Sequence, residues 1–165
     1  MDAAGRIKPA LGQSVLVLLG FLVFTLAIGF AAGRVTAPNI PSWYAFLAKP
    51  SFNPPNWLFM PAWTTLYVLM AVAAWLVWRQ TGWRSRPLAL WLGQLALNCA
   101  WSFLFFGAHA PQAAFFELVA MWLAILATLF AFWRTEPWAG ALLLPYLAWV
   151  SFAGVLNYWV WQLNP

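Results

Sequence analysis

Gln94, Asn98, Trp101 and Phe105 follow one another at intervals of 4, 3 and 4 residues, the spacing that puts side chains on one face of a helix. Trp63, Tyr67 and Met70 repeat that spacing earlier in the chain, and Pro145, Trp149 and Phe152 share a face later on. Rings of this kind stack on a flat, greasy and mostly neutral molecule, and an amide among them adds one directional hydrogen bond. Asn98 lies in an apolar run, so its amide must find a partner, either on another helix or on a ligand, and both can hold together. The same question attaches to the indoles of Trp63, Trp101, Trp122 and Trp149, which stand well inside apolar stretches. Glu117 is the one acid within such a stretch. It pairs with Lys49, Arg34 or His109, or else it carries a proton-coupled role. His109 is the single histidine and Cys99 the single cysteine, so no intrachain disulfide is possible and a structural zinc site lacks ligands. No Ser/His/Asp set, P-loop or dinucleotide fingerprint is present, and conventional enzyme chemistry has no obvious seat.

The elements that position these residues follow from the solvent the chain is built for. Of 165 residues 65% are hydrophobic and 7% charged, against about 25% charged in an ordinary soluble domain. A crossing of ~30 Å of hydrocarbon takes about 20 apolar residues, and stretches near 13–33, 57–79, 87–106, 111–133 and 138–161 meet that length. The fold class is therefore an all-α membrane protein, one five-helix domain covering 1–165, with short connections that make most neighbours antiparallel. The net charge of +5 comes from basic residues scattered at helix ends, which argues against a nucleic-acid partner and for topology signals. Arg6, Lys8, Arg79, Arg84, Arg86 and Arg134 fall on one side, Arg34 and Lys49 on the other. The positive-inside rule then predicts a cytoplasmic N-terminus in a bacterial membrane, with the first loop and the C-terminus outside, and an organelle membrane would need its own count. The first stretch is too long for a signal-peptide core and reads as an uncleaved anchor.

The first loop, 34–56, holds Pro38, Pro41, Pro50, Pro54 and Pro55 beside Trp43, Tyr44, Phe46 and Phe52. Prolines lower the entropy lost on ordering and the aromatics give it something to bury, so a folded cap is predicted over one end of the bundle. Counted from that side, Trp63, Asn98 and Trp149 lie about 9 to 18 Å deep at helical rise. If their faces converge they line an aromatic cavity beneath the cap, and Pro145 predicts a kink beside it. Candidate ligand-binding residues are thus Trp63, Tyr67, Asn98, Trp101, Trp149 and Phe152, with Trp43, Leu47 and Pro50 from the cap. Trp57, Trp78, Trp83, Trp133, Trp138, Trp159 and Trp161 stand at helix ends and read as interfacial anchors. Small residues Ala89, Gly93, Ala96 and Ala100 form a stripe on the third helix, and Gly29 with Gly33 a shorter one on the first. Either stripe packs inside the monomer or forms a homodimer.

Three ordered motifs carry a resemblance. Trp43-Tyr44, Leu47, Lys49-Pro50, Pro54-Pro55, Trp57, Phe59, Trp63 and Leu66-Tyr67 make the first. Asn98, Trp101 and Phe105-Phe106-Gly107 make the second, and Pro145-Tyr146-Leu147-Ala148-Trp149, Phe152-Ala153 and Leu156-Asn157-Tyr158 the third. From about residue 10 onward the chain resembles the translocator protein family, also called tryptophan-rich sensory proteins or peripheral-type benzodiazepine receptors. The resemblance implies a five-helix receptor or sensor with a lid, binding protoporphyrin IX or a haem-like tetrapyrrole, sterol in some members, and isoquinoline carboxamides. It places Trp63, Asn98 and Trp149 in the pocket, and implies for Trp63 and Trp149 a part in light- and oxygen-dependent porphyrin breakdown. Transport of the ligand is the rival reading. The family's sterol motif survives here only as Leu156 and Tyr158, because no Lys or Arg follows within five residues.

Overall fold

The computed structural model describes residues 10–165, and within them five helical stretches are long and apolar enough to cross a membrane. They are built from α1 (Leu11–Ser42), α2 (Phe59–Thr81), α3 (Arg86–Ser102), α4 (Pro111–Thr135), α5 (Pro137–Ala141) and α6 (Leu144–Leu163). A π-helical turn, Phe103–Gly107, extends α3, and α5 with α6 forms the fifth span. Arg6 and Lys8, on which the predicted orientation partly rests, lie outside the described residues.

The first helix does not end at 33 as its apolar run suggests, but continues through Pro38 and Pro41 to Ser42. Hydropathy marks where hydrocarbon stops, whereas the helix stops only where backbone bonding does. In these last turns Thr36, Asn39 and Ser42 bond back to the carbonyls of Ala32, Val35 and Pro38 at 3.0, 2.8 and 2.7 Å. The connection that remains, 43–58, is correspondingly short. It holds two 3-10 turns, Tyr44–Phe46 and Asn56–Leu58. The fifth span also differs from expectation. It is not one kinked helix: a turn at Leu142 and Leu143 separates α5 from α6, and Pro145 sits in the first turn of α6, where its missing N–H costs nothing.

Helix contacts explain the small residues. Phe21 and Thr25 are buried on one narrow stripe of α1, and Thr25 Oγ1 bonds the Tyr67 carbonyl of α2 at 3.1 Å. A Cβ on Gly29, one turn on, would lie 2.5 Å from the Tyr67 ring, so this glycine packs inside the monomer. Gly33 has nothing within 4 Å. On α3 the stripe faces outward, with Ala89, Gly93 and Ala96 exposed. Gly140 is needed for the close return of α5, since a Cβ there would meet the Trp133 backbone at 2.8 Å.

Gly29→Val should therefore displace Tyr67 and lower stability by about 1–3 kcal/mol, the usual cost of overpacking, whereas Gly33→Ala should be neutral or slightly stabilising. Thermal unfolding of the two variants in detergent checks this.

Candidate functional site

The amide of Asn98 is buried between three helices. Its Oδ1 accepts from the Tyr67 hydroxyl of α2 at 2.6 Å and its Nδ2 donates to the Tyr146 hydroxyl of α6 at 3.0 Å. One amide hydrogen and one lone pair remain beyond these bonds. The Tyr146 proton has only the thioether of Met121 on α4, at 3.8 Å, a weak acceptor. Trp63 leans on both tyrosines, 5.8 Å from the Tyr67 ring and 6.2 Å from that of Tyr146. Gln94, one turn along α3, is buried as well. Its Nε2 meets Met70 Sδ at 3.8 Å and its Oε1 has no partner.

A second aromatic group lies toward the cap. Trp149 contacts Phe59 and Phe152 at centroid distances of 6.0 and 5.8 Å, and Phe52 of the cap reaches Phe152 at 6.3 Å. The Trp149 indole N–H is enclosed and unpartnered. Trp101 stacks on Phe105 at 5.1 Å and donates to Asn157 Oδ1 at 3.0 Å, while Asn157 Nδ2 donates to the Pro111 carbonyl at 2.8 Å. The π turn after α3 carries Phe105 and Phe106 inward against Trp43 and Tyr44. The rings of Trp63, Trp149, Phe59 and Phe152 keep part of their surface accessible even though they pack against the core.

The cap is tied by backbone and polar bonds. Lys49 Nζ donates to the carbonyls of Tyr44 and Leu47 at 2.7 and 2.8 Å and to that of Ala45 at 3.3 Å. Tyr44 donates to Asn53 Oδ1 at 2.7 Å, and burial pushes its phenol up to about 12, so it remains a neutral donor. Asn164 at the end of α6 bonds both the N–H and the carbonyl of Ala48. Leu47 packs beneath with Trp43, and the Pro50 carbonyl accepts from the Asn53 N–H. His109, at φ 51°, stacks on Trp43 at 4.3 Å and pairs with Asn39.

Several expectations need correction. The Glu117–Lys49 pair does not form: Lys49 is spent on carbonyls of its own loop, and both Glu117 oxygens are enclosed without a partner. His109 does not serve Glu117 either, being held by Asn39 and Trp43. Trp122 faces away from the interior and donates to Ser151 at 2.8 Å. With Tyr158 it lines an outer groove of about 460 Å³ between α4 and α6. The two sterol-motif residues are split, Leu156 buried and Tyr158 exposed. Trp78 is 2% exposed and is a core residue rather than an interfacial anchor. Sequence reasoning met Tyr146 and Asn157 only as members of the third motif and assigned neither to the site. Asn157 carries the same signal as Asn98, an amide within an apolar span. At the opposite end Gln80 donates to Glu136 at 3.0 Å.

Together these features define a multi-pass integral membrane protein whose aromatic, amide-clasped interior lies under a folded cap. The chain belongs to the TspO/MBR family, whose model matches residues 21–162. It is 41% identical over 153 residues to the "Tryptophan-rich protein TspO" of Archaeoglobus fulgidus, covering 92% of this chain and 99% of that one. To the "Translocator protein" of Homo sapiens it is 45% identical over 148 residues, covering 86% and 88%. To the "Tryptophan-rich sensory protein" of Cereibacter sphaeroides it is 41% identical over 146 residues, covering 87% and 90%.

Asn98→Leu removes both interhelical bonds and strands two hydroxyls, so it should cost about 1–3 kcal/mol, and Tyr67→Phe about 1 kcal/mol. Because the two residues share one bond, the double variant should lose less than the sum, which a double-mutant cycle on thermal stability will show.

Proposed function

We propose that this protein is a membrane receptor or sensor that takes a flat, largely apolar tetrapyrrole, of the protoporphyrin IX or haem type, into the space beneath the cap. The observation that carries this reading is the pairing of two aromatic groups, Trp63 with Tyr67 and Tyr146, and Trp149 with Phe59 and Phe152, whose rings pack on the core yet keep accessible faces. Offset and edge-on stacking on such rings is worth about 0.5–1.5 kcal/mol per pair beyond area burial. The spare hydrogen-bonding capacity of Asn98 orients what stacks there. Trp101 lines the same space less directly, its N–H being committed to Asn157. Trp43, Leu47 and Pro50 act through the cap, closing the mouth rather than gripping the ligand.

Relatives called "Translocator protein" and "Tryptophan-rich sensory protein" bracket the two uses of such a space, passing a ligand on or reporting it. The outward α3 stripe of Ala89, Gly93 and Ala96 is the surface we assign to a homodimer, where small residues let two helices approach closely. The N-terminus is assigned to the cytoplasm from the distribution of Lys and Arg.

Tryptophan-fluorescence titration with protoporphyrin IX in the dark, corrected for inner-filter absorption, tests the reading. Saturable binding is expected, weakened about three- to tenfold by Trp149→Phe or Trp63→Phe, as the loss of one stacking partner implies, and unaffected by Trp122→Phe on the outer groove. Equal, non-saturable quenching in all four proteins would overturn it.

A further inference from the structure

The helices close around the interior on every side but one. α1 packs on α2 and α3, and α4 packs on α3 and α6. α2 packs on α5, at the end of the bundle opposite the cap, but its backbone scarcely approaches that of α6. The fifth span therefore meets α2 at the far end and parts from it beneath the cap. Among the described residues no hydrogen bond crosses this seam: the polar joints of α2 run to α1, to α3 and to Glu136. Two edge-on ring contacts bridge it, Phe59 with Trp149 at 6.0 Å and 75°, and Trp63 with Tyr146 at 6.2 Å and 67°. Phe59, Trp63 and Trp149 are among the rings that keep accessible faces.

The cap is fastened differently. Asn164 of the fifth span holds the Ala48 N–H and carbonyl at 3.0 and 2.9 Å, and Trp43, Tyr44 and Leu47 share one apolar cluster with Phe105, Phe106 and Leu156. Lifting the cap breaks both bonds and turns those apolar surfaces toward water, which is unfavourable on each count. Parting Phe59 from Trp149 breaks no hydrogen bond and turns the rings toward acyl chains, which are as apolar as the side chains around them. The seam is thus the side of the enclosure that opens most readily, and it opens onto hydrocarbon.

We propose that the ligand enters and leaves through this seam, moving edge-first between α2 and α6 from the cap-side leaflet while the cap stays shut. The proposal rests on the tetrapyrrole reading and adds the route and the phase from which the ligand is drawn, the bilayer rather than water. Phe59 is the gating ring, since it stands nearer the cap than Trp63 and its only partner across the seam is the edge of Trp149. Trp63, one turn deeper on α2, meets the leading edge of the incoming molecule. The packing of α2 on α5 keeps the far end closed, so the opening is a splay confined to the cap-side half. Such a route admits flat molecules that dissolve in hydrocarbon and rejects strongly hydrated ones before they reach Asn98.

Stopped-flow tryptophan quenching of the full chain in phosphatidylcholine vesicles separates the two ways in, with protoporphyrin IX dimethyl ester as the membrane-soluble probe. Ala48→Cys with Asn164→Cys, in a Cys99→Ser background, puts a thiol on each side of the cap's tie. Oxidation, or a short bis-maleimide where the disulfide does not close, then locks the cap, and loss of free thiol confirms the lock. The locked chain should take up the ester as fast as its own unlocked form. Phe59→Ala should raise the association rate about threefold or more, because a ring contact that must break on the way in is already absent. Phe59→Leu should raise it less. Loss of a stacking partner alone would show in dissociation and leave association as it was. Melting temperatures establish that each variant is folded. Slowed uptake by the locked chain overturns the proposal alone, and so does an association rate unchanged in both Phe59 variants. Failure of the ester to bind the wild-type chain overturns the tetrapyrrole reading and the proposal with it.

Discussion

Hydrocarbon offers no hydrogen bonds, so every polar group placed in a membrane span must be satisfied by another part of the protein. The architecture depends on this constraint because lipid tails are as apolar as leucine, and burying leucine between helices gains little. Association then rests on close packing and on a few polar joints. Thr25 joins α1 to the Tyr67 carbonyl of α2, and the Trp75 indole of α2 donates to the Ser14 carbonyl of α1 at 3.0 Å. Asn98 joins α3 to α2 and α6. Trp101 and Asn157 carry the connection through α6 to the start of α4. Each joint commits a polar side chain that would otherwise be a penalty, and together they fix which helices are neighbours.

The same rule distinguishes the two halves of the interior. Most polar side chains in the spans are paired, which makes the unpaired ones informative. The Trp149 N–H lies among the aromatic groups beneath the cap, and the Glu117 oxygens are enclosed on α4. Gln94 Oε1 and the indole nitrogens of Trp78 and Trp91 lie toward the other half of the bundle. A cap held by backbone carbonyls on one lysine, and by one asparagine at the end of α6, closes the first half. The lysine bonds are local to the cap, whereas Asn164 ties it to the end of α6 and Trp43 and Tyr44 pack it on Phe105 and Phe106.

What was legible in the sequence follows the physics of each signal. The spans could be read because apolar length is a one-dimensional quantity, and Asn98 because an amide in hydrocarbon is an anomaly that needs a partner. Its partners were not legible: Tyr146 is 48 residues from Asn98, and nothing local in the chain says that the two meet. The Glu117–Lys49 pairing failed for a related reason. Charge and depth suggested that they could meet, but a lysine beside a tight loop finds carbonyls nearer than any acid. The end of α1 was misplaced because apolar content ends before the helix does. The break in the fifth span was misassigned to Pro145, which is harmless where a helix begins. Phe105 was legible from its place on the face of Asn98 and Trp101, whereas the inward stacking of Phe106 depends on a π turn, whose single extra residue per turn leaves no mark in the hydrophobic pattern.

The length of α1 ties the cap to the thickness of the bilayer. At about 1.5 Å per residue its 32 residues extend to ~48 Å, well beyond ~30 Å of hydrocarbon. The surplus at its end, through Pro38, Pro41 and Ser42, is a rigid stalk that delivers the chain directly into the first turn of the cap at Tyr44. Most of α1 stands clear of the other helices, but Thr25 and the Trp75–Ser14 bond tie it to α2, so the two helices tilt together in a given bilayer. A thicker bilayer draws such a helix upright and a thinner one leans it over. The stalk beyond the hydrocarbon moves with that tilt, so the lipids in which the protein resides set how far the cap stands from the bilayer surface.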